Sequence, residues 1–185
     1  FQWVTDYLDN IDVGFFSAPY VYDMNGDKFG ELFIGQDQGE ISYYLNTGNN
    51  INPGFKLMTS SFGGITFKSL KHYTTPVIAD LNKNGIPELV FSHNYFDLMY
   101  GLVVGDIGFI EDINGDTSRK YQPVYYRIKD SYSQQLVTRH PGKLLRPAFA
   151  DLDGDGLPDM MLGSARGGLM LLTTLRDTIN IGFEE

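Results

Sequence analysis

One pattern occurs three times along this chain, and it limits the possible folds more than any other feature. The copies run over Ser17–Gly35, Thr74–Ser92 and Leu145–Gly163. In each copy a proline stands four residues before an aspartate, an acid follows eight residues after that aspartate, and a short apolar run comes next. Repetition on this scale is typical of architectures that stack one small unit several times. The sequence therefore predicts three copies of one structural unit.

The local composition of each copy favours β-strands. Short apolar runs such as PYVY, ELFIG and ISYYL flank the acidic segment and are separated by turns that contain Gly and Asp. Runs of this length that are rich in β-branched and aromatic residues predict strands. No window of helical length carries a sustained 3.6-residue apolar stripe between helix caps. We therefore predict an all-β protein.

The spacing of the copies suggests how the strands are grouped. The first aspartates of the copies, Asp23, Asp80 and Asp151, are 57 and 71 residues apart, which suits a four-stranded blade with its loops. We predict one domain over 1–185 with about three four-stranded antiparallel β-propeller blades, in units of approximately 1–54, 55–125 and 126–185. The residues before Pro19 are expected to include the strand that precedes the first copy. The surplus length of the second unit is expected within 96–122, and the sequence assigns no role to the insertion at 94–120.

A propeller ring typically needs four to eight blades, so three units predict a part of a larger propeller. The sequence starts with Phe1 and not with Met, which leads us to expect a piece of a longer protein.

The overall composition is that of a folded domain and narrows the range of functions. The 185 residues are 42% hydrophobic and 20% charged, and the formal net charge is −9. An acidic chain without a basic stripe is not expected to bind nucleic acid. The lack of cysteine excludes a disulfide framework and a thiolate zinc site. No apolar run approaches the roughly 20 residues that a membrane-spanning helix needs.

The acidic segments carry side-chain oxygens at alternate positions. With the first aspartate as position 1, positions 1, 3, 5 and 9 are Asp23, Asn25, Asp27 and Glu31 in the first loop; Asp80, Asn82, Asn84 and Glu88 in the second; and Asp151, Asp153, Asp155 and Asp159 in the third. Hard divalent cations such as Ca²⁺ prefer six to eight oxygen ligands of this kind. Position 7, which is Phe29, Ile86 or Leu157, can add a backbone carbonyl. The sequence therefore predicts two to three bound Ca²⁺ ions.

Two alternatives to these calcium sites are considered. An EF-hand requires an acid at position 12, and that position is Ile34, Phe91 or Leu162, so an EF-hand is excluded. The Asp, Asn and Gly residues could instead form ordinary polar turns. Occupancy of the second loop stays open, because only Asp80 and Glu88 are charged there. A fourth stretch, DINGD at 112–116, has Lys120 at position 9 and is not expected to bind metal.

These motifs resemble those of a known family. The segment AFADLDGDGLPDMMLG at Ala148–Gly163 resembles the FG-GAP/VCBS repeats, which build calcium-binding β-propeller blades, as in integrin α-chain heads. NIDVGFFSAP, GEISYYLNTG and NPGF look like the propellers of secreted and surface proteins in the Bacteroidota. The resemblance covers most of the chain, and less of 94–120. It implies a calcium role for positions 1, 3, 5, 7 and 9, but no single activity, because propellers host many functions.

The expected function is therefore that of a non-enzymatic, calcium-stabilised interaction module. We expect an extracellular or cell-surface location, outer-membrane-associated in a bacterium, and a protein or surface-glycan partner within a larger assembly, such as an adhesin or a type IX secretion or gliding component. The alternative is a carbohydrate-binding or carbohydrate-active protein on a propeller scaffold. No catalytic residue is assigned, because acids that bind Ca²⁺ stay ionised and the histidines His72, His93 and His140 are expected in loops or on the surface.

Overall fold

The computed structural model describes residues 3–49, 51–65, 71–98, 101–117, 119–121, 123–125, 128–129, 136–137, 142–175 and 182–184. Its strands are β1 Ala18–Tyr22, β2 Glu31–Gly35, β3 Ile41–Asn46, β4 Phe55–Thr59, β5 Lys71–Ala79, β6 Glu88–Asp97, β7 Leu102–Ile110, β8 Val124–Tyr125, β9 Ile128–Lys129, β10 Leu136–Val137, β11 Arg146–Ala150, β12 Asp159–Gly163, β13 Leu169–Leu175 and β14 Gly182–Glu184. Two 3-10 helices, Leu8–Asn10 and Phe62–Gly64, are the only helices in these ranges. The all-β prediction is confirmed.

The strands form three sheets in chain order. Sheet 1 has the order β1-β2-β3-β4 and sheet 2 the order β5-β6-β7-β8, and all their pairings are antiparallel. These two sheets have the four strands that the sequence predicts. Sheet 3 differs, since its order is β10-β9-β14-β13-β12-β11 and β14 meets β9 in parallel. The described strands do not form a closed propeller ring.

Two boundaries differ from those expected from the sequence. Strand β4 pairs with β3, with Phe55 opposite Asn46, so it completes sheet 1 and does not start the second unit. Residues 3–17 contain no strand, contrary to our expectation of one before the first copy. This segment instead lies on sheet 1, where Ile11 and Val13 pack against a buried cluster. The side chain of Asp9 accepts a hydrogen bond from the Phe55 backbone N–H at 2.6 Å.

The three acidic loops occupy the same place in the three sheets. Each connects the first strand of its copy to the second, so it closes a β-hairpin. The residue before position 1 lies opposite position 9 in every sheet, in the pairs Tyr22–Glu31, Ala79–Glu88 and Ala150–Asp159. The repeat seen in the sequence is therefore a repeat of strand register.

The sheets pack face to face in the order 1, 2, 3. Phe33 of sheet 1 shares one core cluster with Leu89 and Phe91 of sheet 2. The intervening Val90 joins a second cluster with Met160 and Leu162 of sheet 3. Since successive strand side chains point to opposite faces, sheet 2 is buried on both. We call the face towards the preceding sheet the front face and the face towards the following sheet the back face.

Gly35 lies at a close contact between sheet 1 and sheet 2. A methyl group on Gly35 would overlap the Thr74 carbonyl oxygen and lie 2.8 Å from Cδ of Pro76. Gly163 holds the same repeat position in sheet 3, yet a methyl group there would meet its first atoms at 3.9 Å. Of these two equivalent glycines, Gly35 is the one whose lack of a side chain the packing requires.

We predict that Gly35→Ala lowers the free energy of unfolding by about 1–3 kcal/mol, because backbone cannot move aside as a flexible side chain can. The matched variant Gly163→Ala should change it by less than about 0.5 kcal/mol, as expected for an unstrained surface position. Urea unfolding of both variants measures the difference. Equal effects of the two substitutions would contradict the sheet packing described here.

Candidate metal centre

The third loop brings three carboxylates together at the edge of sheet 3. Oxygen atoms of Asp151, Asp153 and Asp159 all lie within 4.8 Å of one another. Asp159 is buried at the start of β12, with 2% of its surface exposed, whereas Asp151 and Asp153 are exposed. Such a group of like charges is stabilised by a cation placed among the oxygens.

Backbone hydrogen bonds turn these side chains towards the inside of the loop. Asp151 accepts from the N–H groups of Gly154 at 2.8 Å and Gly156 at 3.1 Å. Asp153 accepts from the Asp155 N–H at 3.0 Å. Gly154 and Gly156 have φ values of +80° and +89°, a region that favours glycine. The loop is therefore shaped by its own backbone amides.

The first and second loops repeat this network. Position 1 accepts two backbone N–H groups, from Gly26 and Lys28 in the first loop and from Asn84 and Gly85 in the second. In all three loops position 3 accepts the N–H of position 5, and position 5 accepts that of position 7. The carbonyl ligands expected from position 7 stay a prediction.

The acid at position 9 anchors each loop to the core. Its carboxylate accepts the backbone N–H of position 2, from Met24 to Glu31 at 2.7 Å, from Leu81 to Glu88 at 2.7 Å, and from Leu152 to Asp159 at 2.9 Å. Glu31 and Glu88 are fully buried. This contact was not predicted from the sequence, because position 2 contributes only its backbone.

Burial makes Glu31 and Glu88 costly to ionise without a counter-charge. It raises the pKa of Glu88 to about 7; the hydrogen bond from Leu81 opposes this shift, and the charges of Asp80, Asp112 and Glu111 add to it. Burial is also the main reason that the pKa of Glu31 is raised. A nearby positive group would remove this cost.

Position 3 distinguishes the loops chemically. In the first two loops it is an asparagine whose Nδ2 donates to the position-9 acid, from Asn25 to Glu31 at 3.5 Å and from Asn82 to Glu88 at 3.2 Å. In the third loop it is Asp153, whose side chain has no N–H to donate. The donor set of the third loop therefore fits a hard cation as it stands. In the other two, the asparagine must turn its oxygen inward before it can act as a ligand.

One acid near the second loop was not predicted from the sequence to lie there. Asp112, from the DINGD stretch, accepts a hydrogen bond from Nδ2 of Asn84 at 3.3 Å. The long hairpin of β6 and β7 brings it back to this edge, and no sequence periodicity reveals that approach. Lys28 does adopt the unfavourable conformation expected at position 6, with φ of +73°.

The histidines do not form a catalytic group in the described residues. His93 is buried, contrary to our expectation of a loop or surface residue, and its ring lies 6.0 Å from the rings of Phe91 and Tyr95. It is therefore part of the interior of sheet 2. The side chain of His72 and all of His140 lie outside the described residues.

The comparison with known families agrees with this geometry. The family model of the FG-GAP-like repeat matches residues 23–91, from the first acidic loop to β6. This chain carries an FG-GAP-like repeat. The match includes two of the three acidic loops, and the third loop repeats their register and hydrogen bonds. No solved structure gave a significant match to the chain. Among the described residues, no helix has the length and apolar character to cross a membrane.

We predict that the residue at position 3 determines how the stability of each FG-GAP-like loop responds to Ca²⁺. Asn82→Asp removes the donor to Glu88 and should cost about 1–2 kcal/mol of unfolding free energy in chelator, with recovery in Ca²⁺. Asp153→Asn should cost little in chelator but lower the gain from Ca²⁺. Thermal unfolding in both buffers tests the pair, and identical responses of the two variants would contradict it.

Proposed function

We propose that this chain is a non-enzymatic, calcium-stabilised β-propeller module for protein–protein or cell-surface interaction. The observation that carries the proposal is the third loop, where three carboxylate oxygens converge at the edge of an FG-GAP-like sheet. Repeats of this family generally mediate protein interactions, are generally non-catalytic and are typical of extracellular proteins. On this proposal the module belongs to a larger secreted or surface-assembly protein, such as a Bacteroidota adhesin or a type IX secretion or gliding component.

The chemistry of the site favours Ca²⁺ over softer metals. All side-chain ligands on offer are carboxylate or amide oxygens, and the chain has no cysteine. Asp151, Asp153 and Asp159 would hold the ion in the third loop. Asp80 and Glu88, with Asp112 nearby, would supply the charge in the second loop, and Asp23, Asp27 and Glu31 in the first. The ion would neutralise acids that the fold holds together.

The size of this stabilisation follows from mass action. A site with a Kd of about 10⁻⁴ M in about 1 mM Ca²⁺ adds roughly 1.4 kcal/mol to the free energy of unfolding. Three such sites would add about 4 kcal/mol, a large share of the 5–15 kcal/mol typical of a domain. If the sites have this affinity, they fill outside cells and stay mostly empty in a cytosol, which is consistent with the extracellular or cell-surface location proposed here.

The test of this function is thermal unfolding of the chain in 1 mM Ca²⁺ and in chelator. We expect a midpoint that is roughly 3–15 °C higher in Ca²⁺, depending on whether one or three sites fill. Mg²⁺ at the same concentration is the control, since it loses its water reluctantly and demands a smaller, octahedral site. A midpoint that is the same in all three buffers would overturn the calcium role.

A further inference from the structure

The segment before β1 encloses a cavity between itself and the front face of sheet 1. The cavity has a volume of about 290 Å³ and a mainly apolar lining. Leu32 and Ile34 of β2 are buried at its base, and Ile11 and Val13 of the segment line its side. Sites for small ligands have volumes of about 300–1,000 Å³, so this cavity is at the lower limit of that range. It therefore suits one inserted side chain.

The charged groups of the lining are two carboxylates, Asp6 and Asp12, and both residues are exposed. No lysine or arginine among the described residues lines the cavity, and the first 22 residues of the chain contain no basic residue at all. Ionised carboxylates accept hydrogen bonds and donate none. The rim of the cavity is therefore negative and lacks a positive partner in its own lining.

The charge of Asp12 also acts on the buried side chains under the cavity. Tyr44 packs with Leu32 and Ile34 in one cluster on the front face. Burial is the main reason that the pKa of Tyr44 is raised, and the charge of Asp12 raises it further. A cation held in the cavity would offset this charge where no lining residue does so.

The segment is held in place on both sides of Asp12. The side chain of Asp9 accepts the backbone N–H of Phe55 on β4, and the carbonyl of Phe15 accepts the backbone N–H of Asp37 at 3.1 Å. The cavity is thus formed without any ligand. A partner does not have to order the segment when it binds, which lowers the entropic cost of binding.

The same segment exposes several large apolar side chains. They are Trp3, Val4, Tyr7, Phe15 and Phe16, and each is between 63% and 88% exposed. Large exposed apolar surfaces are typical of sites of protein interaction. A protein partner could cover these side chains as well as fill the cavity, whereas a small free cation could only fill the cavity.

The chemistry of the cavity selects its occupant. The carboxylates repel an anion, and a wholly apolar occupant would cover them without giving them a hydrogen bond, which is costly. Lysine and arginine side chains combine an apolar stem with a cationic end. Arginine suits two carboxylates better, because its planar guanidinium has five N–H donors and binds carboxylates with paired hydrogen bonds.

We propose that the cavity between the segment and β2 is a docking site for an arginine side chain of another protein. The stem of that arginine lies on Leu32 and Ile34, and its guanidinium faces Asp6 and Asp12. Apolar residues beside the arginine contact the exposed aromatic side chains of the segment. This inference rests on the proposed function, because it names the chemistry of the partner that the interaction module binds.

The test uses a short peptide, acetyl-Gly-Leu-Arg-Leu-Gly-amide, and a matched peptide with citrulline, the neutral isostere of arginine. Each is added to the whole 185-residue chain in millimolar Ca²⁺, with the methyl groups of Ile, Leu and Val labelled for NMR. We expect the methyl signals of Ile11, Leu32 and Ile34 to shift. Leu171 on β13 of sheet 3, which is 48% exposed, is the control and should not shift.

The arginine peptide should bind about tenfold more tightly than the citrulline peptide, because the guanidinium forms charge-assisted hydrogen bonds. Asp6→Asn and Asp12→Asn should each reduce this preference several-fold. Asparagine at position 12 keeps an oxygen for the Gly14 N–H, which Asp12 accepts at 2.9 Å. The matched control is Asp9→Asn, which removes the same charge outside the cavity lining, keeps an acceptor for Phe55, and should leave the preference nearly unchanged.

Equal binding of the two peptides, or equal effects of the three substitutions, would overturn the proposal. Acetyl-arginine-amide that binds as tightly as the peptide would overturn the protein partner, because the site would then serve a small cation. A dimer of the chain that the peptide dissolves, measured by sedimentation velocity, would also contradict it, because a second copy would then be the occupant. The thermal midpoints in Ca²⁺ and in chelator test the calcium role separately, so the two proposals can fail independently.

Discussion

The hydrogen bond from the backbone N–H of position 2 to the buried acid of position 9 is the contact on which each unit depends. It closes the loop between the first two strands and brings a carboxylate into the interior, where Glu31 and Glu88 are fully buried. The side chains of positions 1, 3 and 5 accept hydrogen bonds from backbone amides of the same loop, and in the third loop Asp151 and Asp153 lie close to Asp159. The same contact that shapes the hairpin thus positions the carboxylate whose negative charge a cation would offset.

The packing of the sheets and the chemistry of the loops occupy different parts of each unit. Apolar residues of β2, β6 and β12 hold the stack together through their two faces, whereas the acidic loops lie at the ends of the same strands. On the proposed calcium role, binding or loss of the cation would act first on the hairpin ends. This separation explains how three loops of different charge can share one register.

Much of this arrangement follows from sequence spacing. The strands on both sides of each loop and the left-handed conformation of Lys28 are local properties that the residue types specify. The failures concern long-range pairing. The local sequence does not indicate that Phe55–Thr59 pairs with β3 and not with the following strands. It also does not indicate that sheet 3 has six strands, or that Asp112 lies beside Asn84.

The segment before β1 shows a further limit of pattern reasoning. Ile11 and Val13 alternate as they would in a strand, yet this segment covers the front face of sheet 1 without pairing with it. Its apolar residues are buried against that face. Their spacing along the sequence is the same as in a strand, so the sequence pattern does not distinguish the two. The same argument applies to His93, whose interior position is set by the length of β6 and not by its neighbours in sequence.

The most direct test of the account is a crystal structure of the chain grown in Ca²⁺, with anomalous diffraction used to locate the ions. If the third loop binds Ca²⁺, an anomalous peak will lie about 2.3–2.6 Å from oxygens of Asp151, Asp153 and Asp159. Carboxylates in these positions with a water molecule or a lysine side chain between them, and no anomalous peak, would contradict it.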